Sequence, residues 1–200
     1  MSRPNLTIIV GPSASGKNTL LNQMKDLGYG TVVSYTTRPM RDGEVDGRDY
    51  RFVSVEKFKS HIYRGHITLE RTFRIVTGEE YHYGVPVDDL RSAFRDNKHK
   101  AMILDPQGVR QLIRQGYSPY IVMVDAPLHE LAHRAMKRNS DVSETLDRIA
   151  REDREFDQFR RDGLVDMYVS TVAPELRMAK DKISTMEYVD YSGIREWSSK

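Results

Sequence analysis

The sequence predicts an α/β fold, a parallel sheet flanked by helices with a smaller mixed α/β subdomain inserted into it. Two observations predict this. Leu6 to Val10, Ala101 to Leu104 and Tyr120 to Val124 are continuous apolar runs, the mark of strands buried on both faces. The stretches between such runs carry apolar residues at helical spacing, and strand alternating with helix is the pattern of a doubly covered parallel sheet.

Taken in order, Leu6 to Val10 reads as the first strand. Leu20, Leu21, Met24 and Leu27 then share one helical face, and Gly28 closes that helix. Thr31 to Ser34 reads as a short second strand, and the polar stretch from Tyr35 to Asp49, broken by Pro39, Gly43 and Gly47, as a loop. Arg51 to Val53 is extended. Ser54 caps a helix whose apolar face holds Val55, Phe58, Ile62 and Tyr63. Ile67 to Val76 and Glu79 to Val85 alternate around Thr77-Gly78, as a hairpin does. Pro86 opens a helix through Phe94, and a strand follows from Ala101 to Leu104, ending at Asp105. Helices over Gly108 to Gln115 and Leu128 to Lys137 bracket the strand Tyr120 to Val124. Asp141-Val-Ser-Glu144 has the form of a capping box at the head of a long charged helix reaching Phe159. The short polar stretch Arg138 to Asp141 before it is a candidate lid. Val165 to Val169 is the last predicted strand, Pro174 starts a final helix to about Lys182, and Ile183 to Lys200 carries no pattern.

Composition limits the function. Two hundred residues suit one domain with a sizeable core. Lys plus Arg at 31 against Asp plus Glu at 29 gives a net charge of +2, far from the basic excess a general nucleic-acid binder needs. With no cysteine there is no disulfide, thiolate metal site or cysteine nucleophile, which fits a reducing, cytoplasmic setting. The amino terminus shows neither a signal-peptide pattern nor a membrane span.

The chemistry starts at Gly11 to Thr19, GPSASGKNT, between the first strand and the first helix. Gly11 and Gly16 sit where the backbone must turn tightly or approach a phosphate. Ser13, Ala14 and Ser15 span the turn, and Lys17 adds a positive charge where backbone N–H groups converge. Such a loop holds a polyphosphate, as in ATP. The position after the lysine ordinarily carries a hydroxyl for Mg²⁺. Here it is Asn18, whose amide oxygen is still a hard ligand, while Thr19 lies about 100° further round the helix.

A second constellation runs from Ser34 to Tyr50 and includes Arg38, Arg41 and Arg48. Guanidinium forks can hold the phosphate of an acceptor molecule, though a solvated surface loop would read the same way.

GPSASGKNTL, SYTTRPMRDGEVDGRDYRFVS, EYHYG and LDPQG, in this order, resemble the guanylate kinase family from about Thr7 to Val169. The resemblance implies a parallel-sheet P-loop NTPase core at about 1–34 and 86–182, a nucleoside-monophosphate-binding insert at about 35–85 and a helical lid at about 134–150. It implies ATP on residues 11–19 and Arg134, with Mg²⁺ at Asn18. It further implies that Ser34, Arg38, Arg41, Tyr50 and Tyr83 hold the GMP phosphate, and that Glu70 and Asp105 read the guanine edge. The chemistry agrees, because guanine offers N1–H and its 2-amino group as neighbouring donors to a carboxylate. Arg138 and Arg148 match the family's lid arginines, which with Lys17 and Arg41 would meet the charge of the transferring phosphoryl group. Read as residues alone, they have as their alternative a salt-bridged helix surface among Asp141, Glu144, Asp147 and Glu152. The family usually has Ser or Thr after its Tyr-Gly pair, where this chain has Val85, a loss of one base hydrogen bond worth about 0.5–1.5 kcal/mol. Implied partners are two small-molecule substrates, without nucleic acid or membrane, as a monomer or homodimer. The implied reaction is phosphoryl transfer from ATP to GMP or dGMP. The alternatives are another phosphorylated acceptor or a binding module of the same fold.

Overall fold

The computed structural model describes residues 5–75, 78–96, 98–138 and 142–171, without the side chains of 138 and 142–149. Its elements are β1 (Leu6–Val10), α1 (Lys17–Asp26), β2 (Gly30–Thr31), β3 (Tyr35–Thr36), β4 (Arg51–Phe52), α2 (Val55–Tyr63), β5 (Ile67–Arg74) and β6 (Glu80–Pro86). They continue with α3 (Val87–Arg95), β7 (Lys100–Ile103), α4 (Pro106–Arg114), β8 (Tyr120–Asp125), α5 (Leu128–Arg138), α6 (Val142–Arg161) and β9 (Met167–Ser170). A five-stranded sheet has the order β2-β7-β1-β8-β9, and a four-stranded sheet the order β4-β3-β6-β5. This is the predicted α/β class. The candidate helix after Pro174 and the tail from Ile183 lie outside the described residues, as do Thr77 of the hairpin turn and Asp141 of the capping box.

The chain forms two compact units. One comprises Ile9–Gly28 and the described chain from Tyr120; the other comprises Asn5–Ile8 and Tyr29–Pro119. In the first, β8 runs parallel to β9 in the register Val122↔Met167 to Asp125↔Ser170. Ile121 to Val124 are buried there, as their unbroken apolar run requires. Helix α1 buries Leu20 and Met24 and leaves the left-handed Gly28 (φ +87°) to end it. Helices α5 and α6 pack on each other, and Leu131, Ala135, Phe156 and Phe159 are their buried residues.

In the second unit β2 and β7 pair in parallel. The strand expected over Thr31 to Ser34 is shorter than its pattern: its ladder ends with the bond from Val32 N–H to the Ala101 carbonyl, and the chain then turns into β3. Strand β3 lies inside what reads as a polar loop, since Thr36, although polar, is fully buried. It pairs in parallel with β4 and antiparallel with β6. Strands β5 and β6 form the expected hairpin. Ser54 caps α2 as predicted, accepting from Lys57 N–H, but Tyr63 stands 93% exposed, off the buried face led by Phe58. Helix α4 begins earlier than its apolar spacing suggests. Asp105 is its N-cap and Pro106, lacking an N–H, fits its first position.

Phe58 is among the largest fully buried side chains, burial worth about 1.5–3 kcal/mol. It packs against the hairpin at Gly84. A Cβ added to Gly84 would lie 2.3 Å from Ile67 Cγ2 and 3.2 Å from Phe58 Cζ. Gly84→Ala should therefore lower stability by about 1–3 kcal/mol in urea unfolding. Ile67→Ala, which removes the clashing methyl, should cost less in that background than in the native one, and a purely additive double-mutant cycle would disprove the contact.

Candidate active site

The first unit carries the phosphate loop. At its start Gly11 (φ +155°) passes so close to β8 that a Cβ would sit 2.1 Å from the Val124 carbonyl oxygen. Ser15 N–H closes a turn onto the Pro12 carbonyl at 3.2 Å. The loop ends at left-handed Gly16 (φ +100°), the N-cap of α1, which supplies no capping side chain; the first turn of α1 holds no acidic residue. The N–H groups of this turn thus present the positive end of the helix dipole. Lys17 Nζ donates to the Gly11 and Pro12 carbonyls, both at 2.8 Å, which folds its charge along the loop. Asn18 and Thr19 are exposed.

Four contacts around this loop were not legible in the sequence. Glu152 of α6, readable only as one member of a charged helix surface, accepts from Ser13 N–H (2.5 Å) and from Ser13 Oγ (2.6 Å). A carboxylate therefore sits on an amide of this loop. Thr171, just past β9, donates from its buried hydroxyl to the Ser15 carbonyl at 2.7 Å. The same hydroxyl accepts from Arg134 Nη1 at 2.8 Å, and the Thr171 carbonyl accepts from Nη2 at 3.0 Å. Arg134 is thereby tied to the loop through one threonine. Arg160 Nη2 meets Asp125 at 2.6 Å at the carboxyl end of β8. Ser15 Oγ is buried with no hydrogen-bond partner among the described residues.

The second unit carries the arginine loop. Arg38 is 7% exposed, and its fork is fixed by Nη2 to Glu44 Oε1 (2.7 Å) and Nη1 to the Pro39 carbonyl (2.6 Å). Its guanidinium lies over the rings of Tyr50 (5.6 Å) and Phe52 (5.7 Å). Burial alone would lower its pKa; Glu44 and Tyr83 outweigh that and raise it. Burial likewise opposes Glu44's ionisation, yet Arg38 and the Arg41 N–H hold its carboxyl below the usual range. Glu44 Oε2 accepts from Arg41 N–H at 2.8 Å, so one carboxylate organises both predicted arginines, while the Arg41 side chain is exposed. Arg48 instead pairs with Asp49 on the surface. Ser34 contributes its carbonyl to Arg51 N–H. Tyr50 and Tyr83 stand edge to face at 5.8 Å, and burial pushes the Tyr50 phenol up.

The two predicted base carboxylates lie in this unit as well. Asp105 Oδ1 caps α4 through Gly108 N–H (2.7 Å), and Oδ2 accepts from Arg71 Nε (2.7 Å). Arg71 also bonds Gln107 Oε1. Glu70 is exposed on β5, and Val85 is 1% exposed. Arg138 and Arg148 fall on α5 and α6 respectively, with side chains outside the described residues. Among the described residues no group of three or more His, Cys, Asp or Glu could hold a metal ion.

The Glu44 clamp generates a pH-dependent prediction. A carboxyl held below its unfolded pKa contributes stability that is fully present above that unfolded value, about 4.3, and is lost as pH falls through the lower folded value. Glu44→Gln should cost about 1–3 kcal/mol at pH 7. The gap between wild type and variant should narrow as the pH falls from the unfolded value through the lower folded one in denaturant titrations; a constant gap would contradict the ion pair.

The guanylate kinase family model matches residues 3–166. The guanylate kinase of Thermosynechococcus vestitus is 37% identical over 147 residues, 72% of this chain and 74% of that protein. Human guanylate kinase is 32% identical over 174 residues, covering 84% and 86% respectively. In fold, the crystal structure of guanylate kinase from Anaplasma phagocytophilum aligns with a TM-score of 0.65 at 22% identity, over 92% of this chain and 85% of that one. With its loop, its arginine clamp and a family match spanning most of its length, this chain belongs to the guanylate kinase family.

Proposed function

We propose that the protein is an ATP-dependent guanylate kinase that transfers the γ-phosphoryl group of ATP to GMP or dGMP, giving ADP and GDP or dGDP. The observation that carries this reading is the intact phosphate loop, with both glycines left-handed and Lys17 at the uncapped start of α1. A scaffold module of the same fold would not need that loop, and the reading of a different phosphorylated acceptor has no comparable support.

In this reading residues 11–19 cradle the ATP phosphates, and Lys17 exchanges its two carbonyl partners for phosphate oxygens. Ser13 must likewise give up Glu152 for the incoming polyphosphate. Arg134 lies beside the loop as an ATP contact. Mg²⁺ suits this donor set as an ion carried largely by the triphosphate, with the Asn18 amide oxygen as a protein ligand, and when bound it neutralises phosphate charge. Residues 35–85 serve as the acceptor-binding insert. Ser34, Arg38, Arg41, Tyr50 and Tyr83 hold the GMP phosphate, and Glu70 and Asp105 accept from guanine N1–H and the 2-amino group. Residues 134–150 form the lid that brings Arg138 and Arg148. We place the reaction in the cytoplasm, where both nucleotides are available.

No general base is needed, because a GMP phosphate oxygen is already anionic at pH 7. That oxygen bonds the γ-phosphorus while the bond from this phosphorus to the ADP oxygen breaks, and ADP leaves with the electron pair. The residues align two anions against their repulsion and spread the transferring charge over cations.

An ADP-coupled assay over a panel of nucleoside monophosphates tests the reading, and GMP or dGMP should be the best acceptor. Lys17→Ala should lower turnover by about three orders of magnitude with an unchanged circular dichroism spectrum; near-normal turnover would refute the loop's role. Asp105→Asn keeps the oxygen that caps α4 but turns a donor toward Arg71 and the base. It should reduce kcat/KM for GMP about tenfold or more and for AMP far less. Equal losses would make Asp105 purely structural.

A further inference from the structure

The geometry points to Arg71 as a specificity-determining residue that donates to guanine O6, in the place of the hydroxyl that Val85 does not provide. This rests on the GMP reading above and adds a residue to it. The Watson–Crick edge of guanine runs donor, donor, acceptor through the 2-amino group, N1–H and O6. Its complement is therefore two acceptor positions followed by a donor. Asp105 with Arg71 Nε on its Oδ2 at 2.7 Å is such a set, a carboxylate with a guanidinium fixed at its side.

The register of the hairpin puts Arg71 on the face where the base would lie. Thr68 pairs with Val85 and Arg71 with Tyr83, three residues apart on β5 against two on β6. A bulge at Leu69, left-handed at φ +51°, takes up the extra residue. With side chains alternating along β6, Tyr83 and Val85 share a face, and their partners Arg71 and Thr68 share it with them. Without the bulge Arg71 would oppose His82 and point to the other face, the one packed on Phe58 through His82.

Arg71 is also held for this task. Nε is on Asp105, Nη1 is on Gln107 Oε1, and the guanidinium lies 5.4 Å from the centre of the Phe73 ring. Among the described residues its Nη2 has no acceptor. Val85 is buried and apolar, so it offers no donor. The competing hydroxyl on this face, Thr68 Oγ1, is engaged by Gln115 Nε2 at 3.1 Å.

The test compares GMP with 6-thio-GMP, which keeps N1–H and the 2-amino group but replaces O6 by a weakly accepting sulfur. Wild-type protein should favour GMP in kcat/KM, and Arg71→Met should lose about 10- to 100-fold on GMP and much less on 6-thio-GMP, collapsing the preference. Arg71→Lys, which retains one cationic donor, should recover part of it, and it serves alone should Arg71→Met fail to fold by thermal denaturation. Equal losses on both nucleotides would mean that Arg71 acts only by holding Asp105, and would overturn the proposal. So would a preference that persists in Arg71→Met and disappears in Thr68→Val. A wild-type protein that does not phosphorylate GMP at all would remove the GMP reading itself. A protein that does so with an Arg71-independent preference would remove only this inference.

Discussion

Phosphoryl transfer between two nucleotides is limited by the repulsion of two polyanions, and every cation assigned to phosphate in this protein has to be held in place without losing its charge. The structure uses two kinds of restraint. Lys17 rests on the Gly11 and Pro12 carbonyls, neutral acceptors that orient the ammonium. Arg134 is held by the hydroxyl and carbonyl of Thr171 and also lies 3.5 Å from the Glu130 carboxylate. Arg38 has a close carboxylate partner at 2.7 Å, and Glu44 takes only one edge of the fork. The planar guanidinium has five N–H donors, so fixing two of them on Glu44 and Pro39 sets the plane in which the others lie. The aromatic rings of Tyr50 and Phe52 hold that plane from the side. A lysine in this place would keep the charge and lose the geometry.

The phosphate loop shows how a long-range contact gives a local motif its shape. The glycines of GPSASGKNT are readable as places of close approach, but what they approach is not. Gly11 runs against the Val124 carbonyl, and Gly16 lies where a Cβ would be 3.1 Å from Thr171 Cγ2. Thr171 then bonds the Ser15 carbonyl and holds Arg134, so one residue at the carboxyl end of β9 fixes both the loop backbone and its neighbouring cation. Nothing in the residues around Thr171 announces this, because the contact joins positions 156 apart. Glu152 is hidden for the same reason. On a helix rich in acids and bases it looks like surface, and only the folded chain sets it on Ser13.

Local order was legible wherever one periodicity ran long enough to bury a face. The strands β1, β7 and β8, the caps Ser54 and Gly28, and the β5–β6 hairpin all follow from pattern and turn chemistry. Strand β3 was not, since two residues among hydroxyls and arginines carry no period, and burial of Thr36 comes from sheet partners on either side. Helix α4 starts at Pro106, ahead of its apolar spacing, because Asp105 caps it; Asp105 meets Gly108 N–H and Arg71 Nε through different oxygens.

The bulge at Leu69 is the clearest case of a feature that a sequence pattern averages away. A leucine in the left-handed region costs about 1–2 kcal/mol, so the conformation persists only because other contacts favour it. Leu69 itself is 4% exposed, and its burial, worth about 1.5–3 kcal/mol, is enough to offset that cost. The consequence falls on its neighbours. One extra residue reverses the parity of everything after it on β5, so that Arg71 and Phe73 join Tyr83 and Val85 on one face while Thr72 and Arg74 join His82 on the other. A strictly alternating strand would have put those side chains the other way round, with Arg71 turned from Asp105. The buried leucine thus sets the face on which Arg71, with its side chain 20% exposed, meets Asp105.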